Sequence, residues 1–194
     1  MMYMRIFFTI LILTLSFQAS TNADDIRDFQ IEGISIGDSA LEFFDKKEIE
    51  ERKKIGFVYT DKTFFSATFY NKDFFEKYHN IQLHLKANDS KYIIYSVAGK
   101  INYKDNYNEC VNEMEKILPE LKVLFSEARF FDDGTEIWTN NEGYKVKTKS
   151  YFLELSDGSN IALECYDQPK EMNIIDGLSI AIDSDEFVEF LTTD

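Results

Sequence analysis

The sequence predicts an α+β protein, with a mostly antiparallel sheet of about six to seven strands, a long helix packed on one face and short helices at both ends. Several short segments alternate apolar and polar residues between turn signals, which is typical of strands joined by hairpins. One central segment repeats apolar residues at steps of three and four, which is typical of a helix with one buried face. Two cysteines, Cys110 and Cys165, lie one in that helical segment and one in a strand segment.

The first residues are typical of an export signal. Arg5 precedes an apolar run, Ile6–Phe17, of about a dozen residues, which is the length of a signal-peptide core and short for a membrane span. Small and polar residues follow, and Thr21–Ala23 is a suitable cleavage site. We therefore expect a signal peptide at 1–23, a single domain at 24–194, and a periplasmic or secreted protein. The alternative is an uncleaved membrane anchor.

The composition is that of an acidic chain with enough apolar residues to form a folded core. The formal net charge of the 194 residues is −14, and removing a signal peptide that contains Arg5 makes it −15. Such a charge repels nucleic acid and anionic lipid, so we expect no nucleic-acid partner. No later segment is long and apolar enough to span a bilayer, so we expect no stable membrane insertion after signal cleavage. Apolar residues make up 44% of the chain and aromatic residues 15%, which is enough surface to bury in a core.

The first half of the mature chain is predicted to contain two short helices and then strands. Ser35 and Asp38 have the spacing of a helix cap at the start of the first helix. Asn71–His79 is expected to form a helical turn, and Gly99 is expected to bend the last strand. The predicted helices are 36–44 and 46–53, and the predicted strands are 55–60, 63–70, 81–86 and 92–103.

The second half begins with the long helix, predicted at 106–126. Asn106 and Glu109 form a capping box, and the apolar stripe keeps its phase across Pro119, so we expect a kink there and no break. The segment 130–143 is predicted to be irregular, with Trp138 in a loop. Two strands then flank a strong hairpin signal, and a last strand leads into a short helix capped by Asp183 or Ser184. The strands are predicted at 144–155, 160–166 and 178–182.

The cysteines are predicted to form a disulfide bond. Cys110 lies on the apolar stripe of the long helix, and Cys165 shares the apolar side of its strand with Ile161 and Leu163. A helix packed on a sheet brings those two faces together, and an even cysteine count in an exported protein favours a bridge. A redox pair is the alternative, although such pairs usually use Cys-x-x-Cys, which this chain lacks.

The stretch Gly33–Phe44 contains Gly-Asp-Ser and resembles the first block of the Gly-Asp-Ser-Leu lipase and esterase family. The resemblance would make Ser39 a nucleophile. A serine needs a base to remove its proton, and that family places the base in an Asp-x-x-His near the C-terminus. The two histidines, His79 and His84, follow Glu76 and Ile81 at that spacing, so the base is missing. The sequence therefore favours a structural cap at this stretch.

Gly-Ile-Ser-x-x-Asp at Gly33–Asp38 is also similar to the opening of the small outer-membrane assembly lipoprotein fold. A wider resemblance, from about Ile31 to Phe190, is to small exported proteins of marine Gram-negative bacteria. In these an acidic chain opens with a Gly-hydrophobic-Ser-Ile-Gly-Asp-Ser element. It carries one helix cysteine near its middle and ends with a cysteine strand and a short helix. This resemblance implies a fold and an exported location but no activity.

Several other residues are candidates for binding. His79 and His84 are a weak zinc pair without a third ligand at fixed spacing, and Asp132–Glu136 is a weak calcium loop, so we expect no metal. His84 lies on the polar side of its strand and is predicted to be solvated. Trp138 is a candidate contact point, or else a cap of the core. Three lysines on one side of a strand are candidates for an anionic partner, or else guards of a sheet edge; they are Lys145, Lys147 and Lys149.

These patterns favour a non-enzymatic exported protein, either a binding module or an envelope accessory, whose partner is a periplasmic protein or a small ligand. The sequence contains no paired catalytic constellation and no phosphate-binding loop, so we expect no cofactor. The alternative is a carboxylate-dependent hydrolase or carbohydrate-active enzyme, because two close acids suffice for that chemistry. Its acids would come from a set that includes Asp132, Asp133 and Glu164.

Overall fold

The computed structural model describes residues 26–56, 59, 61–140, 142–172 and 174–193. The predicted signal peptide, 1–23, lies outside these residues. Their helices are α1 (Lys46–Ile55), α2 (Tyr107–Leu124) and α3 (Asp185–Thr193). Their strands are β1 (Phe64–Tyr70), β2 (Asn80–Lys86), β3 (Ile94–Asn102), β4 (Arg129–Thr139), β5 (Lys145–Glu154), β6 (Asn160–Asp167) and β7 (Gly177–Asp183).

The strands form one seven-stranded antiparallel sheet in the order β1-β2-β3-β7-β6-β5-β4. Strands β1 to β3 form a meander. Helix α2 then carries the chain to the far edge of the sheet, and β4 to β7 return until β7 pairs with β3. The predicted α+β class and mostly antiparallel sheet are therefore confirmed.

The two faces of this sheet differ. Leu83, Val97, Ile182 and Ile161 are register neighbours on one face, and each is at most 1% exposed. Helix α2 contacts β6 and β7 on this face, and α1 contacts β1. We call this side the covered face. The opposite side, on which Glu164 and its β7 partner Ser179 are half-buried, is called the open face.

The predicted disulfide bond is confirmed. The Sγ atoms of Cys110 in α2 and Cys165 in β6 are 2.04 Å apart, and both residues are fully buried on the covered face. Helix α2 runs without a break through Pro119. At its start, the Glu109 N–H donates to Asn106 Oδ1 over 3.3 Å, and the Asn106 amide donates to Glu109 Oε2 over 2.6 Å. The predicted cap of α2 is therefore present.

The predicted helix at 36–44 is wrong. Only Ala40–Glu42 forms a single 3-10 turn. Gly37 adopts a φ of +89°, which an α-helix does not allow, and its N–H donates to the Ile94 carbonyl over 2.8 Å. One part of the predicted cap remains, because the Ser35 N–H donates to Asp38 Oδ2 over 2.9 Å. The segment therefore satisfies its backbone against the start of β3 and not within a helix.

The prediction of an irregular segment at 130–143 is also wrong, because β4 occupies most of it. Asp132, Asp133 and Gly134 are poor strand formers, which hid the strand in the sequence. A register shift between Asp132 and Gly134 accommodates them as a bulge, and β4 pairs with β5 on both sides of it. On its other side, β5 pairs with β6 in unbroken register.

Three smaller differences concern the first half. The strand predicted at 55–60 begins with Ile55, which is the last residue of α1, and residues 57, 58 and 60 lie outside the described part of the chain. The segment 71–79 forms turns without a helix. Gly99 does not mark the predicted bend. It leaves space for the Tyr78 ring, because a Cβ at this position would lie 2.4 Å from Tyr78 Cδ1. The irregularity of this sheet region lies between His84 and Leu85.

The two remaining local predictions are confirmed. The hairpin between β5 and β6 turns at Gly158, with a φ of +91°, and the Ser159 N–H donates to Asp157 Oδ1 over 2.9 Å. The Phe187 N–H donates to Ser184 Oγ over 3.3 Å at the start of α3, so Ser184 is the capping residue. In the part of the chain described, no helix is both long enough and apolar enough to cross a membrane.

Candidate functional site

A row of polar residues crosses the open face. Ser66 in β1 pairs with His84 in β2, which pairs with Ser96 in β3, and the row continues through Asp183 in β7 to Asn160 in β6. Directly paired residues of neighbouring strands project from the same face, so these side chains stand side by side. A serine, a histidine and an aspartate are therefore neighbours, which makes this row the first place to look for chemistry.

The carboxyl group of Asp183 is buried within this row. Its exposure is 8%, and burial raises the pKa of the carboxyl group to about 6. A hydrogen bond from the Ser96 side chain opposes that rise in pKa, whereas the negative charge of Glu164 adds to it. Asp183 is thus a carboxyl group that can change its charge just below neutral pH.

Glu164 is held at both of its carboxylate oxygens. The Tyr166 hydroxyl donates to Oε2 over 2.5 Å, and the Ser150 hydroxyl donates to Oε1 over 3.2 Å. Burial and the adjacent Glu164 charge raise the pKa of the Tyr166 phenol well above its ordinary value. Glu164 and Asp183 thus lie on one face and influence each other electrostatically, but the protein's own hydroxyl groups already occupy Glu164.

His84 is not solvated, which corrects the prediction from strand alternation. Its ring stacks on Phe187 of α3 with centroids 4.6 Å apart, and Nδ1 is buried without a hydrogen-bond partner. Burial lowers the pKa of the imidazole to about 4. The cause is tertiary, because α3 folds back onto the open face and covers a residue whose strand pattern indicates exposure. His84 is therefore a neutral aromatic packing residue at neutral pH.

Helix α3 rests on an aromatic cluster at this end of the open face. The Tyr59 and Phe190 ring centroids are 5.0 Å apart in an edge contact, and those of Phe64 and Phe187 are 5.2 Å apart. Burial, followed by the charge of Asp183, raises the pKa of the Tyr59 phenol to about 12. Because α3 covers this end of the row, Ser66 and Ser96, each 1% exposed, are closed to a substrate.

The other candidate metal ligands do not converge. His79 Nδ1 accepts the Asn102 N–H over 3.3 Å. Asp132 Oδ1 accepts the Gly134 N–H over 2.9 Å, so this carboxylate supports the β4 bulge and not a calcium loop. Among the residues that the structure describes, no group of three or more histidine, cysteine or acidic side chains is placed to hold a metal ion.

Ser39 has a structural environment. Its hydroxyl donates to the Lys91 carbonyl over 2.7 Å and accepts the Leu41 N–H over 3.2 Å. The residue also forms an isolated bridge to Ile93, next to the start of β3. These bonds use the hydroxyl to cap the 3-10 turn and to join it to the sheet, so the capping residue is Ser39 and not Ser35, where the sequence predicted it.

The three lysines of β5 lie on the covered-face side, but β5 is an inner strand, so they do not guard a sheet edge. Lys147 Nζ is 3.2 Å from Asp167 Oδ2 and 3.7 Å from the Tyr107 ring centroid. Lys149 Nζ is 2.6 Å from Glu115 Oε1, and that hydrogen bond raises the pKa of the lysine. Lys145 is exposed at the strand end. Two of the three cations are therefore neutralised within the protein.

Trp138 lies in β4 and not in a loop. Its Nε1–H donates to Thr148 Oγ1 over 2.9 Å, which holds the ring against the open face, yet the residue is 44% exposed. Its neighbour Ile137 projects from the other face and is 68% exposed. We call the segment Thr135–Thr139 the edge surface. The sequence pattern identified Trp138 but missed Ile137, whose position beside the tryptophan in an Ile-Trp pair was the available signal.

A surface depression of about 550 Å³ runs along α1. Its lining comes from one helix and carries charges of both signs, including Lys47 and Glu51, whose charged atoms are 3.9 Å apart. The lining residues are Asp45, Lys47, Glu48, Glu51, Arg52 and Ile55. This mixture selects no particular ligand charge, so we do not assign the depression a function.

The fold and its surfaces define an α+β protein with one seven-stranded antiparallel sheet, a disulfide-linked helix on the covered face and an exposed edge strand. Compared with known protein families, with curated proteins and with solved structures, the chain matches none.

Proposed function

We propose that this protein is a non-enzymatic, exported binding module that contacts its partner through the edge surface of β4. The observation that carries the proposal is the exposure of Ile137 and Trp138, at 68% and 44%, on adjacent positions of an edge strand. The two side chains project from opposite faces of β4, and a partner strand alongside this edge would bury part of both. The long helix, joined to β6 by Cys110–Cys165, packs on β6 and β7 of the sheet that presents this strand.

Export is supported by two independent features. The sequence of 1–23 has the charge, apolar run and small residues of a signal peptide. The disulfide bond between Cys110 and Cys165 is of the kind that persists in oxidising compartments. We propose a periplasmic or secreted location on these grounds. Mass spectrometry of the native protein from a periplasmic fraction tests it, and we expect an oxidised chain that begins at Asp24. A full-length, reduced chain in the cytoplasm would contradict the proposal.

The arrangement of the open face favours binding over catalysis. Ser66 and Ser96 lie beneath α3, and His84 presents a neutral ring packed on Phe187. A nucleophile must reach its substrate and have a base within hydrogen-bond distance. The buried serines of this row do not offer the first condition. We therefore propose that the row stabilises the attachment of α3 to the sheet.

A carboxylate-dependent hydrolase is the second candidate, favoured by the electrostatic coupling of Glu164 and Asp183 on one face. Glycoside hydrolysis requires two such acids on opposite sides of the scissile bond. The bonds from Tyr166 and Ser150 to Glu164 disfavour it, because they occupy the oxygens that would act on a substrate. Glu164→Gln and Asp183→Asn test it with chromogenic glycosides and esters. We expect no turnover by the parent protein. Turnover by the parent that is lost in both variants would favour the enzyme.

We also propose that the chain belongs with the small exported proteins of marine Gram-negative bacteria that it resembles in sequence. The support is the Gly33–Ser39 element, the helix cysteine Cys110 and the strand cysteine Cys165, which is followed by a short helix. This grouping implies a fold and an exported location. It implies no chemistry that would change the proposal.

The binding function is tested by affinity purification from periplasmic extract with the oxidised mature protein as bait. The double variant Ile137→Ser, Trp138→Ala removes the apolar side chains of the edge surface. The control is Val123→Ser in α2, because Val123 is 79% exposed and lies outside that surface. We expect the parent and the control to recover the same partner and the double variant to lose it. Equal recovery by all three proteins would contradict the assignment of the surface.

A further inference from the structure

The edge surface offers unpaired backbone groups. Thr135–Thr139 pairs with Lys145–Lys149 of β5 in continuous register, and no described strand pairs with the other side of β4. An edge strand directs the N–H and C=O groups of alternate residues away from its single neighbour, where another strand can pair with them. The edge surface is therefore able to accept an additional strand by main-chain hydrogen bonds.

The usable length of this edge is limited. The bulge between Asp132 and Gly134 interrupts the regular backbone, and bulges and charges are common guards of an edge strand. Beyond the bulge, Thr135 to Thr139 keep unbroken pairing up to the turn that leads to β5. An added strand thus meets about five regular positions, which is the length of a short strand.

Side chains of the edge surface differ between its two faces. Glu136 and Trp138 project on the open-face side, and Thr135, Ile137 and Thr139 project on the covered-face side. An incoming strand has its own side chains next to these. A basic residue fits beside Glu136, and apolar residues fit beside Ile137 and Trp138, whose exposed area they would bury.

Charge distinguishes a basic partner from a second copy of this chain. Lys147 and Lys149 are already paired with Asp167 and Glu115, so Lys145, opposite Thr139, is the exposed lysine of β5 beside the acids of the edge. The exposed acids on or beside β4 are Asp132, Asp133, Glu136 and Glu142. A second mature copy would bring the same acids and a net charge of −15 to this edge, whereas a basic segment is attracted to it.

We infer that the edge surface takes an extended segment of a partner protein, in which one basic residue stands next to two apolar residues, as an eighth strand of the sheet. This inference rests on the proposed binding function and names the chemistry of the partner. The main-chain hydrogen bonds supply the pairing, Ile137 and Trp138 supply apolar contacts on the two faces, and Glu136 selects the basic residue.

The test uses the oxidised mature chain, labelled with ¹⁵N, and the capped peptide Thr-Lys-Val-Val-Lys-Thr as probe. This peptide reads Lys-Val-Val from either end, so one lysine lies next to Glu136 in a parallel or an antiparallel pairing. We expect amide shift changes centred on Thr135–Thr139 and slower hydrogen exchange there, with a dissociation constant on the order of 0.1–1 mM. A peptide with proline in place of the second valine should lose binding, because proline cannot donate the main-chain bond. A peptide with glutamate in place of both lysines should bind about tenfold more weakly.

Protein variants separate the contributions. Trp138→Ala should weaken the parent peptide about tenfold, Glu136→Lys should reverse the preference between the lysine and glutamate peptides, and Val123→Ser should change neither. Retained folding is checked from the amide spectrum of each variant. A preserved preference for lysine in Glu136→Lys would overturn the assigned role of Glu136.

Three outcomes would overturn the inference and are distinguishable from a failure of the proposed function. If the lysine peptide does not bind at millimolar concentration, a basic segment is excluded as the partner. Amide shift changes outside Thr135–Thr139 would show that the peptide binds at another surface. A concentration-dependent dimer with slowed exchange in Thr135–Thr139 would make the second copy the occupant. The proposed function fails only if the edge variant recovers the same periplasmic partner as the parent, which the purification experiment measures without the peptide.

Discussion

His84 and Asp183 are two titratable groups on the open face whose effects on stability should oppose each other. The pKa of His84 falls from 6.5 to about 4 in the folded chain, and the pKa of Asp183 rises from 3.8 to about 6. For His84, the unfolded chain binds more protons between pH 6.5 and 4, so stability is lost as the pH falls through this window. For Asp183, the folded chain binds more protons between pH 6 and 3.8, so stability is lost as the pH rises.

The two effects have similar size. A shift of one pKa unit corresponds to about 1.4 kcal/mol, so each of these groups changes the free energy of unfolding by about 3 kcal/mol across its window. We therefore predict that they nearly cancel in the parent protein between pH 7 and 4. His84→Phe keeps the ring against Phe187 and removes the loss in acid. Asp183→Asn keeps an acceptor for Ser96 and removes the loss near neutral pH.

Urea unfolding at pH 7, 5.5 and 4, followed by the fluorescence of the single tryptophan Trp138, measures these changes. Differences between variant and parent at each pH remove the contribution of the other carboxylates. Relative to the parent, His84→Phe should gain about 3 kcal/mol of stability on going from pH 7 to 4, and Asp183→Asn should lose a similar amount. If both variants follow the parent at all three pH values, the two groups are not buried as the structure places them.

Two further predictions concern the covalent bond and the close contact at Gly99. Replacing both Cys110 and Cys165 by serine opens a connection of 55 residues, and the chain-entropy relation gives a loss of about 4 kcal/mol in the free energy of unfolding, measured in urea with reduced parent protein for comparison. A urea midpoint equal to that of the oxidised parent would contradict this. Gly99→Ala places a Cβ 2.4 Å from Tyr78 Cδ1 and should cost about 1–3 kcal/mol, measured by thermal unfolding; a Tm equal to that of the parent would show that the Tyr78 ring moves freely.

Local patterns were sufficient for the elements that carry their own signals. A capping residue precedes α2, and the apolar stripe of the helix places Cys110 on its buried side. The alternation in β6 places Cys165 on the buried side of that strand, so the disulfide bond followed from two periodicities. The hairpin at Gly158 was readable for the same reason, since its turn residues determine its geometry. In these cases each segment's own residues decide its structure.

The candidate binding site was only partly predictable. Trp138 and the lysines of β5 were visible as residue types, but the exposure of Ile137 and the pairing of Lys147 with Asp167 depend on which strands are neighbours. The order of strands in a sheet cannot be predicted from the residues of one strand, because it depends on which strands pair. The assignment of β4 to the edge, on which the proposed function depends, therefore came from the structure.

The sequence by itself determined the fold class, the covalent bond and the acidic charge, because periodicity, cysteine count and composition are properties of the chain alone. Tertiary structure decided three things that local signals opposed. Asp132–Gly134 enters a strand because β5 offers it a backbone partner, Gly37 leads its segment to β3 and not into a helix, and His84 is buried because α3 covers it. In each case a contact with another element outweighed the local signal, and backbone propensities contribute only about 1 kcal/mol per residue.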